Sequence, residues 1–200
     1  MSRFIESLWY RISPWHLLLW PLSLIYGAVT AVRRALYRAG IFKAQSLPVP
    51  VIVVGNITAG GSGKTPLVMW LAEFLQQQGY QPGVISRGYG REGDEMREVS
   101  ALSQALVVGD EPLLIARRAK CPVVVGRDRV AAANRLLQKN PQVNVIISDD
   151  GLQHYKLARL MEICVVDGVR GFGNGWSIPA GPLRETTARL DKVDAIIING

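Results

Sequence analysis

The sequence predicts an α/β fold in which a mainly parallel sheet carries helices on both faces. Short apolar runs alternate with helical patterns from residue 46 onward, and this alternation is typical of parallel sheets. The 200 residues are 48% hydrophobic, which is enough to bury one core of this type. Strands are expected near residues 51–54, 84–86, 123–125, 145–148, 163–167 and 195–198, and helices near 66–78, 111–120 and 128–139. Ligands of such sheets bind beyond the carboxyl ends of the strands, where we expect the site.

A glycine-rich turn after the first strand is the strongest functional motif. In VIVVGNITAGGSGKTPLVMW, residues 51–70, a β-branched run leads through glycines into a helical pattern, which indicates a phosphate-binding loop and a P-loop NTPase-type fold. Glycines let backbone N–H groups turn towards phosphate oxygens. Lys64 would supply charge to the terminal phosphates, and Thr65 a hydroxyl to Mg²⁺. The predicted nucleotide-binding residues are Thr58, Ala59, Gly60, Gly61, Ser62, Gly63, Lys64 and Thr65.

Thr58 departs from the strict loop pattern, which has glycine at that position. The alternative is an ordinary glycine-rich turn between a strand and a helix. The Gly-Lys-Thr triplet at the start of the helical pattern favours the phosphate-binding interpretation.

Acidic residues follow the predicted strand ends. Asp149 and Asp150 come directly after the strand at 145–148, where a carboxylate can bind the magnesium of a nucleotide, although a solvated Asp-Gly turn is the alternative. Asp110, with Glu111 beside it, opens a helical pattern. Asp110 is either a helix cap or the group that accepts a proton from an attacking hydroxyl.

Arginines form a third set of candidates, because guanidinium groups suit bidentate contacts with phosphate. The motif SRGYGR contributes Arg87 and Tyr89, and GRDR contributes Arg127 and Arg129. A rigid proline-rich turn presents Arg184. Solvated loops are the alternative for the first motif, and helix capping by Asp128 for the second. We interpret His154 as a structural histidine rather than a catalytic one.

The N-terminal segment predicts contact with a membrane. Residues 1–45 hold six Lys and Arg against one Glu, which is five of the net charge of +7, so the basicity does not indicate nucleic acid. Residues 12–32 lack charge, and as a helix they would reach about 31 Å. Pro21 and scattered aromatic residues favour a helix or broken helix lying in, or dipping into, one leaflet over a single span or a helix docked on the core. The two cysteines are expected as buried core residues.

Five motifs together resemble the tetraacyldisaccharide 4'-kinase family of lipid A biosynthesis. They are GNITAGGSGKTP (55–66), SRGYGR (86–91), GDEP (109–112), SDDGLQH (148–154) and GNGWSIPAGPLRE (173–185). The resemblance implies transfer of the γ-phosphate of ATP, with Mg²⁺, to the 4'-hydroxyl of a tetraacyldisaccharide 1-phosphate. It also implies an enzyme at the cytoplasmic face of the bacterial inner membrane, attached through residues 1–32.

The resemblance also suggests roles for single residues. Lys64 and Thr65 would serve phosphates and metal, Asp149 and Asp150 the metal, and Asp110 with Glu111 the attacking hydroxyl. The substrate candidates are Arg87, Tyr89, Arg127 or Arg129, and Arg184.

The expected organisation is a membrane-associating segment, 1–45, and a P-loop kinase core, 46–200. Members of the resembling family run to over three hundred residues, so we expect this form to lack a C-terminal region. We infer neither a nucleic-acid partner nor an obligate protein partner. A membrane-associated P-loop ATPase or nucleotide switch that phosphorylates no lipid is the alternative function.

Overall fold

The structure is a computed structural model that describes residues 9–10 and 14–200. Every strand and helix expected from the sequence is present, with boundaries shifted by at most two residues. Both cysteines are buried and free, as expected. The helices are α1 (Trp15–Arg38), α2 (Lys64–Gln77), α3 (Ala105–Val108), α4 (Asp110–Ala119) and α5 (Arg129–Lys139), with a 3₁₀ helix at Thr187–Lys192. The strands are β1 (Val51–Gly55), β2 (Pro82–Ser86), β3 (Arg97–Val99), β4 (Val123–Val125), β5 (Val145–Asp149), β6 (Met161–Asp167) and β7 (Ala195–Asn199).

The described residues divide into two compact units. One contains those within Met1–Lys43 together with Asn56–Ser62 and Cys164–Gly200. The other contains Ala44–Gly55 and Gly63–Ile163. We call them the helix unit and the sheet unit.

The sheet unit is built on a mainly parallel sheet, as predicted. Its strands run in the order β3-β4-β2-β5-β1. β5 pairs in parallel with both β1 and β2, and β2 pairs in parallel with β4. The central strands are almost wholly buried because their runs of Val and Ile pack under the helices α2, α4 and α5. Strand β3, which the sequence does not predict, adds an antiparallel edge against β4.

The helix unit contains α1, which continues through Pro21. Its outward residues are apolar and well exposed, for example Leu17 at 81% and Leu18 at 67%. Among the described residues, one helix, His16–Arg38, is long and apolar enough to cross a membrane by length and composition. Residues 1–8 and 11–13 of the predicted membrane-associating segment lie outside the described residues.

The opposite side of α1 is polar and joins the segment 174–180. The Ala180 N–H donates to Ser23 Oγ at 2.9 Å, and Asn174 Nδ2 lies 3.3 Å from His16 Nε2. Trp9 Nε1 donates to the Pro179 carbonyl at 3.0 Å. We call this set of contacts the polar seam.

Candidate active site

Asp149, at the carboxyl end of β5, is held by Ser86 from the neighbouring strand β2 and by Arg129 from the start of α5. Ser86 Oγ, at the end of β2, donates to Asp149 Oδ2 at 2.9 Å. The Arg129 guanidinium donates to the Asp149 carbonyl at 3.1 Å and to the Gly126 carbonyl at 2.7 Å. Because backbone and side chain are both held, this carboxylate has one defined orientation.

The environment of Asp149 opposes its negative charge. The residue is 1% exposed, and its burial, with smaller contributions from Glu111 and Asp150, raises its pKa to about 6. The Ser86 hydrogen bond lowers the pKa in part. Asp149 Oδ1 is buried and has no hydrogen-bond partner among the described residues. A buried carboxylate oxygen of this kind is suited to a cation or a water bound to one.

Asp150 projects to a different partner, although it is the next residue. Its backbone is left-handed, with φ of 50°, which turns the chain sharply after the strand. Its Oδ1 lies 3.4 Å from Lys64 Nζ. The two adjacent carboxylates are therefore placed differently, one against Ser86 and one against Lys64.

Lys64 is the first residue of α2 and is 8% exposed. Gly63 precedes it with φ of 80°, a left-handed conformation that glycine adopts without strain. Thr65, the predicted metal ligand, is the second residue of the same helix. Lys64 therefore adds its positive charge to the first turn of α2, where the helix dipole is also positive, and both favour an anion.

Two glycines bring the motifs SRGYGR and GDEP into contact. A Cβ on Gly109 would lie 3.1 Å from Gly88 Cα, so the loops approach backbone to backbone. Gly109 is the N-cap residue of α4, and Asp110 is its first helical residue. Because the cap position belongs to Gly109, Asp110 is not the helix cap that the sequence left open. Glu111 lies near enough to Asp149 to raise its pKa.

Arg87, Tyr89 and Arg127 line one pocket of about 220 Å³. Tyr89 is 80% exposed, and Arg127 Nε contacts Asp94 Oδ1 at 2.6 Å. Arg129, in contrast, is 2% exposed and donates to the backbone carbonyls given above. The structure thus groups Arg127 with the SRGYGR loop and places Arg129 beneath the strand ends.

Residues 56–62 of the predicted phosphate-binding loop belong to the helix unit. The Ala59 N–H donates to the Pro182 carbonyl at 2.7 Å, and the Arg184 N–H donates to the Ile57 carbonyl at 2.7 Å. Thr58 pairs with Leu183 in an antiparallel bridge. Arg184 therefore follows a segment that pairs directly with this loop, while the other predicted substrate residues lie in the sheet unit.

His154 and Arg159 shape the chain after Asp150. Burial, together with nearby Arg129, lowers the pKa of His154 to about 4, so the imidazole is neutral at pH 7. Arg159 donates to the carbonyls of Leu152 and His154 and forms an ion pair with Glu162 at 2.9 Å. These contacts support the structural interpretation of His154.

Sequence reasoning missed two residues near the predicted site, Ser86 and Arg170. Ser86 lies within the SRGYGR motif, but only the folded sheet shows its hydroxyl on Asp149. Arg170 lies beside Gly60 of the phosphate-binding loop. No motif marked Arg170, and the available signal was an Asp-x-x-Arg spacing that begins at the last residue of β6.

The Asp149→Asn variant is expected to gain stability relative to the wild type as pH rises. A raised pKa means that the folded state holds the proton more tightly, so stability falls as pH rises from 3.8 towards about 6. The full penalty corresponds to about 3 kcal/mol, of which roughly 1 kcal/mol develops between pH 5 and pH 8. Asparagine does not ionise and escapes it. Urea unfolding at both pH values, with chelator and without nucleotide, measures the difference.

Asp128→Asn provides the control. Its side chain accepts a hydrogen bond from Lys156, which lowers the pKa of Asp128. That residue is ionised at both pH 5 and pH 8, so its stability difference should stay constant. A constant difference for Asp149→Asn as well would contradict the raised pKa.

The family model for tetraacyldisaccharide-1-P 4'-kinase (LpxK) matches residues 15–200. Curated relatives named tetraacyldisaccharide 4'-kinase share 58% identity in Herminiimonas arsenicoxydans and 54% in Janthinobacterium sp. (strain Marseille). Each alignment covers 100% of this chain, but 55% and 57% of the relatives. The chain thus spans little more than half the length of these relatives.

A solved structure agrees with these relatives. The crystal structure of the "apo" form of LpxK from Aquifex aeolicus in complex with ATP superimposes with a TM-score of 0.83 at 35% identity. The match covers 92% of this chain and 58% of that one. These findings confirm the α/β fold class and the resemblance seen in the motifs, and the chain belongs to the tetraacyldisaccharide-1-P 4'-kinase family.

Proposed function

We propose that the protein transfers the γ-phosphate of ATP to the 4'-hydroxyl of a tetraacyldisaccharide 1-phosphate, giving the 1,4'-bisphosphate. The observation that carries the proposal is the arrangement at the end of β5. There a buried Asp149 carboxylate lies next to Asp150, which faces Lys64 at the start of α2. A lysine at a helix N-terminus beside strand-end carboxylates is the arrangement that phosphoryl transfer uses.

The residues present fit a magnesium nucleotide. Among the described residues, no three His, Cys, Asp or Glu side chains converge into a metal cage made by protein alone. Mg²⁺ needs no such cage, because it is usually held by one or two carboxylates together with phosphates and waters. Asp149 Oδ1, Asp150 and the Thr65 hydroxyl are the groups that would hold it. When bound, the metal neutralises charge on the β- and γ-phosphates.

The chain's own groups then divide the work. Lys64 and the N–H groups of residues 58–65 bind the phosphates, and Ser86 keeps Asp149 oriented. Asp110 accepts the proton of the attacking hydroxyl, with Glu111 beside it. The pocket of Arg87, Tyr89 and Arg127 suits the anionic headgroup, as does Arg184, while Arg129 positions the backbone under Asp149.

The proposed organisation is a membrane-associating segment, 1–45, and a P-loop kinase core, 46–200. The exposed apolar side of α1 and the basic residues Arg33 and Arg34 near its C-terminal end are suited to an anionic bilayer surface. An acylated substrate leaves a bilayer at a cost of about 0.8 kcal/mol per methylene, so its kinase must work at that surface. We place the protein at the cytoplasmic face of the inner membrane, where ATP is available.

Charges on the exposed side of α1 are expected to release the protein from lipid. In a Leu18→Asp, Ile25→Asp, Val29→Asp variant, binding to anionic vesicles should fall at least about tenfold, because a buried charge opposes insertion. Co-sedimentation with vesicles measures it. Leu102→Asp is the control, since Leu102 is 92% exposed and lies outside α1. Undiminished sedimentation of the triple variant would contradict attachment through this side of the helix.

The proposed reaction is tested by following labelled γ-phosphate from ATP in mixed micelles that contain the tetraacyldisaccharide 1-phosphate. The whole protein should be assayed beside the 200-residue chain. Labelled lipid is the expected product. Inorganic phosphate without labelled lipid would instead favour the ATPase or switch function.

A further inference from the structure

Arg170 lies against the phosphate-binding loop. Its Nη1 is 3.4 Å from the point that a Cβ would occupy on Gly60. Gly60 has φ of 102°, a backbone conformation that residues with a side chain rarely adopt. Because glycine has no Cβ, the guanidinium can approach the loop backbone on this side. Both residues belong to the helix unit. A guanidinium group is therefore placed beside the backbone that is expected to carry phosphate.

Asp167 holds this guanidinium in place. Its Oδ2 accepts from Arg170 Nε at 2.7 Å and contacts Nη2 at 2.6 Å. Its Oδ1 accepts the backbone N–H groups of Val169 at 3.0 Å and Arg170 at 2.8 Å. Asp167 thus occupies the Nε and Nη2 edge of the guanidinium, and Nη1 is the nitrogen nearest Gly60. Holding a long side chain in this way reduces the conformational entropy lost on ligand binding.

We propose that Arg170 binds the terminal phosphate of ATP. Gly60 stands four residues before Lys64, inside the run whose N–H groups face phosphates in a loop of this type. During transfer the bond from the γ-phosphorus to the bridging oxygen breaks and ADP leaves. A bond from the acceptor oxygen forms, and the hydroxyl proton passes to Asp110. Arg170 donates hydrogen bonds to the oxygens of the transferred group, where an arginine is worth most.

This inference rests on the proposed function, but it predicts a separate property, discrimination between ATP and ADP. ADP lacks the phosphate that Arg170 would bind. Displacement of a fluorescent nucleotide from the whole protein, with Mg²⁺, gives both affinities. Arg170→Ala should lower the affinity for ATP at least about tenfold, in line with the loss of a charged hydrogen bond. The affinity of the same variant for ADP should stay within about twofold of the wild-type value. Arg170→Lys should recover part of the ATP affinity, because it keeps the charge without the planar fork.

Turnover gives a second measurement. Arg170→Ala should lower kcat by roughly 10²–10³-fold, below the largest effects of arginines in phosphoryl transfer. The matched control is Arg135→Ala, because Arg135 forms an exposed ion pair with Glu98 at 3.2 Å on α5, and neither measurement should change. Asp167→Asn, which loosens the guanidinium, should lower ATP affinity less than Arg170→Ala.

Two results would overturn the inference alone. These are an equal loss of ATP and ADP affinity in Arg170→Ala, and unchanged affinity for both. A wild-type protein that binds neither nucleotide would overturn the proposed function and this inference together.

Discussion

Lys64→Ala is expected to lower the rate of phosphate transfer by at least about 10²–10³-fold, the effect of removing one preorganised charge from a transition state. Lys64 is almost buried, and its Nζ lies 3.4 Å from Asp150 Oδ1. Because this position is enclosed, we expect that another lysine could not take over its charge without a rearrangement. ATP affinity should fall as well, because the terminal phosphates lose their nearest point charge. Initial rates with labelled ATP and displacement of a fluorescent nucleotide measure the two effects.

Lys156→Ala is the matched control for this lysine. Its Nζ contacts Asp128 Oδ2 at 2.8 Å on the surface, where an ion pair contributes about 0–1 kcal/mol. It should lose neither activity nor nucleotide affinity. A folded Lys64→Ala protein with wild-type transfer would exclude the phosphate-binding loop as the nucleotide site.

Asp110→Asn is expected to lower kcat by about 10²–10⁴-fold while ATP affinity stays within about twofold. Asparagine keeps the shape of the side chain but cannot accept the hydroxyl proton. Because Gly109 holds the N-cap position, the substitution does not remove a cap from α4. Single-turnover transfer separates the chemical step from nucleotide binding.

Glu73→Gln serves as the comparison for Asp110→Asn. Glu73 is exposed on α2, outside the contacts described for the site, and its loss of charge should leave kcat unchanged. Equal loss of ATP affinity and kcat in Asp110→Asn would assign Asp110 to ground-state binding. Normal turnover would remove it from the reaction.

Local patterns predicted the strands because buried parallel strands are rich in continuous apolar runs, such as Val145-Ile146-Ile147 in β5. Helix starts were less predictable. The pattern favoured Pro66 as the beginning of α2, yet the helix begins at Lys64, since Gly63 in a left-handed conformation starts it earlier. Proline is still tolerated in the first turn, where its missing N–H is not needed. Strand β3 is short and carries exposed charges, so only its pairing with β4 reveals it.

The candidate site was predictable in residue type but not in detail. The sequence assigned Asp149 and Asp150 the same role. In the folded chain, Asp149 accepts a hydrogen bond from Ser86, whereas Asp150 contacts Lys64. The sequence also left Arg127 and Arg129 equivalent. Their separation depends on α5 beginning at Arg129, which directs that side chain inward while Arg127 stays exposed. Such differences come from tertiary packing, which local patterns do not contain.

In α1 the polar side is packed against the protein and the apolar side is exposed, which is the reverse of an ordinary surface helix. This reversal affects how a water-soluble form can be made. Cutting α1 away would strip the buried Ala180 N–H of its partner, Ser23 Oγ, and a buried group left unpaired costs about 1–3 kcal/mol. It would also remove the His16 contact of the Asn174 amide, which keeps its hydrogen bond to the Ala180 carbonyl. The loss of order would extend beyond α1, because the segment that carries Ala180 continues to Pro182. The Pro182 carbonyl accepts a hydrogen bond from the Ala59 N–H of the predicted phosphate-binding loop. Replacing the exposed leucines and valines of α1 with polar residues would remove the apolar surface and keep the polar seam. Solubility can therefore be engineered on the exposed side of α1 while the contacts of the polar seam are kept.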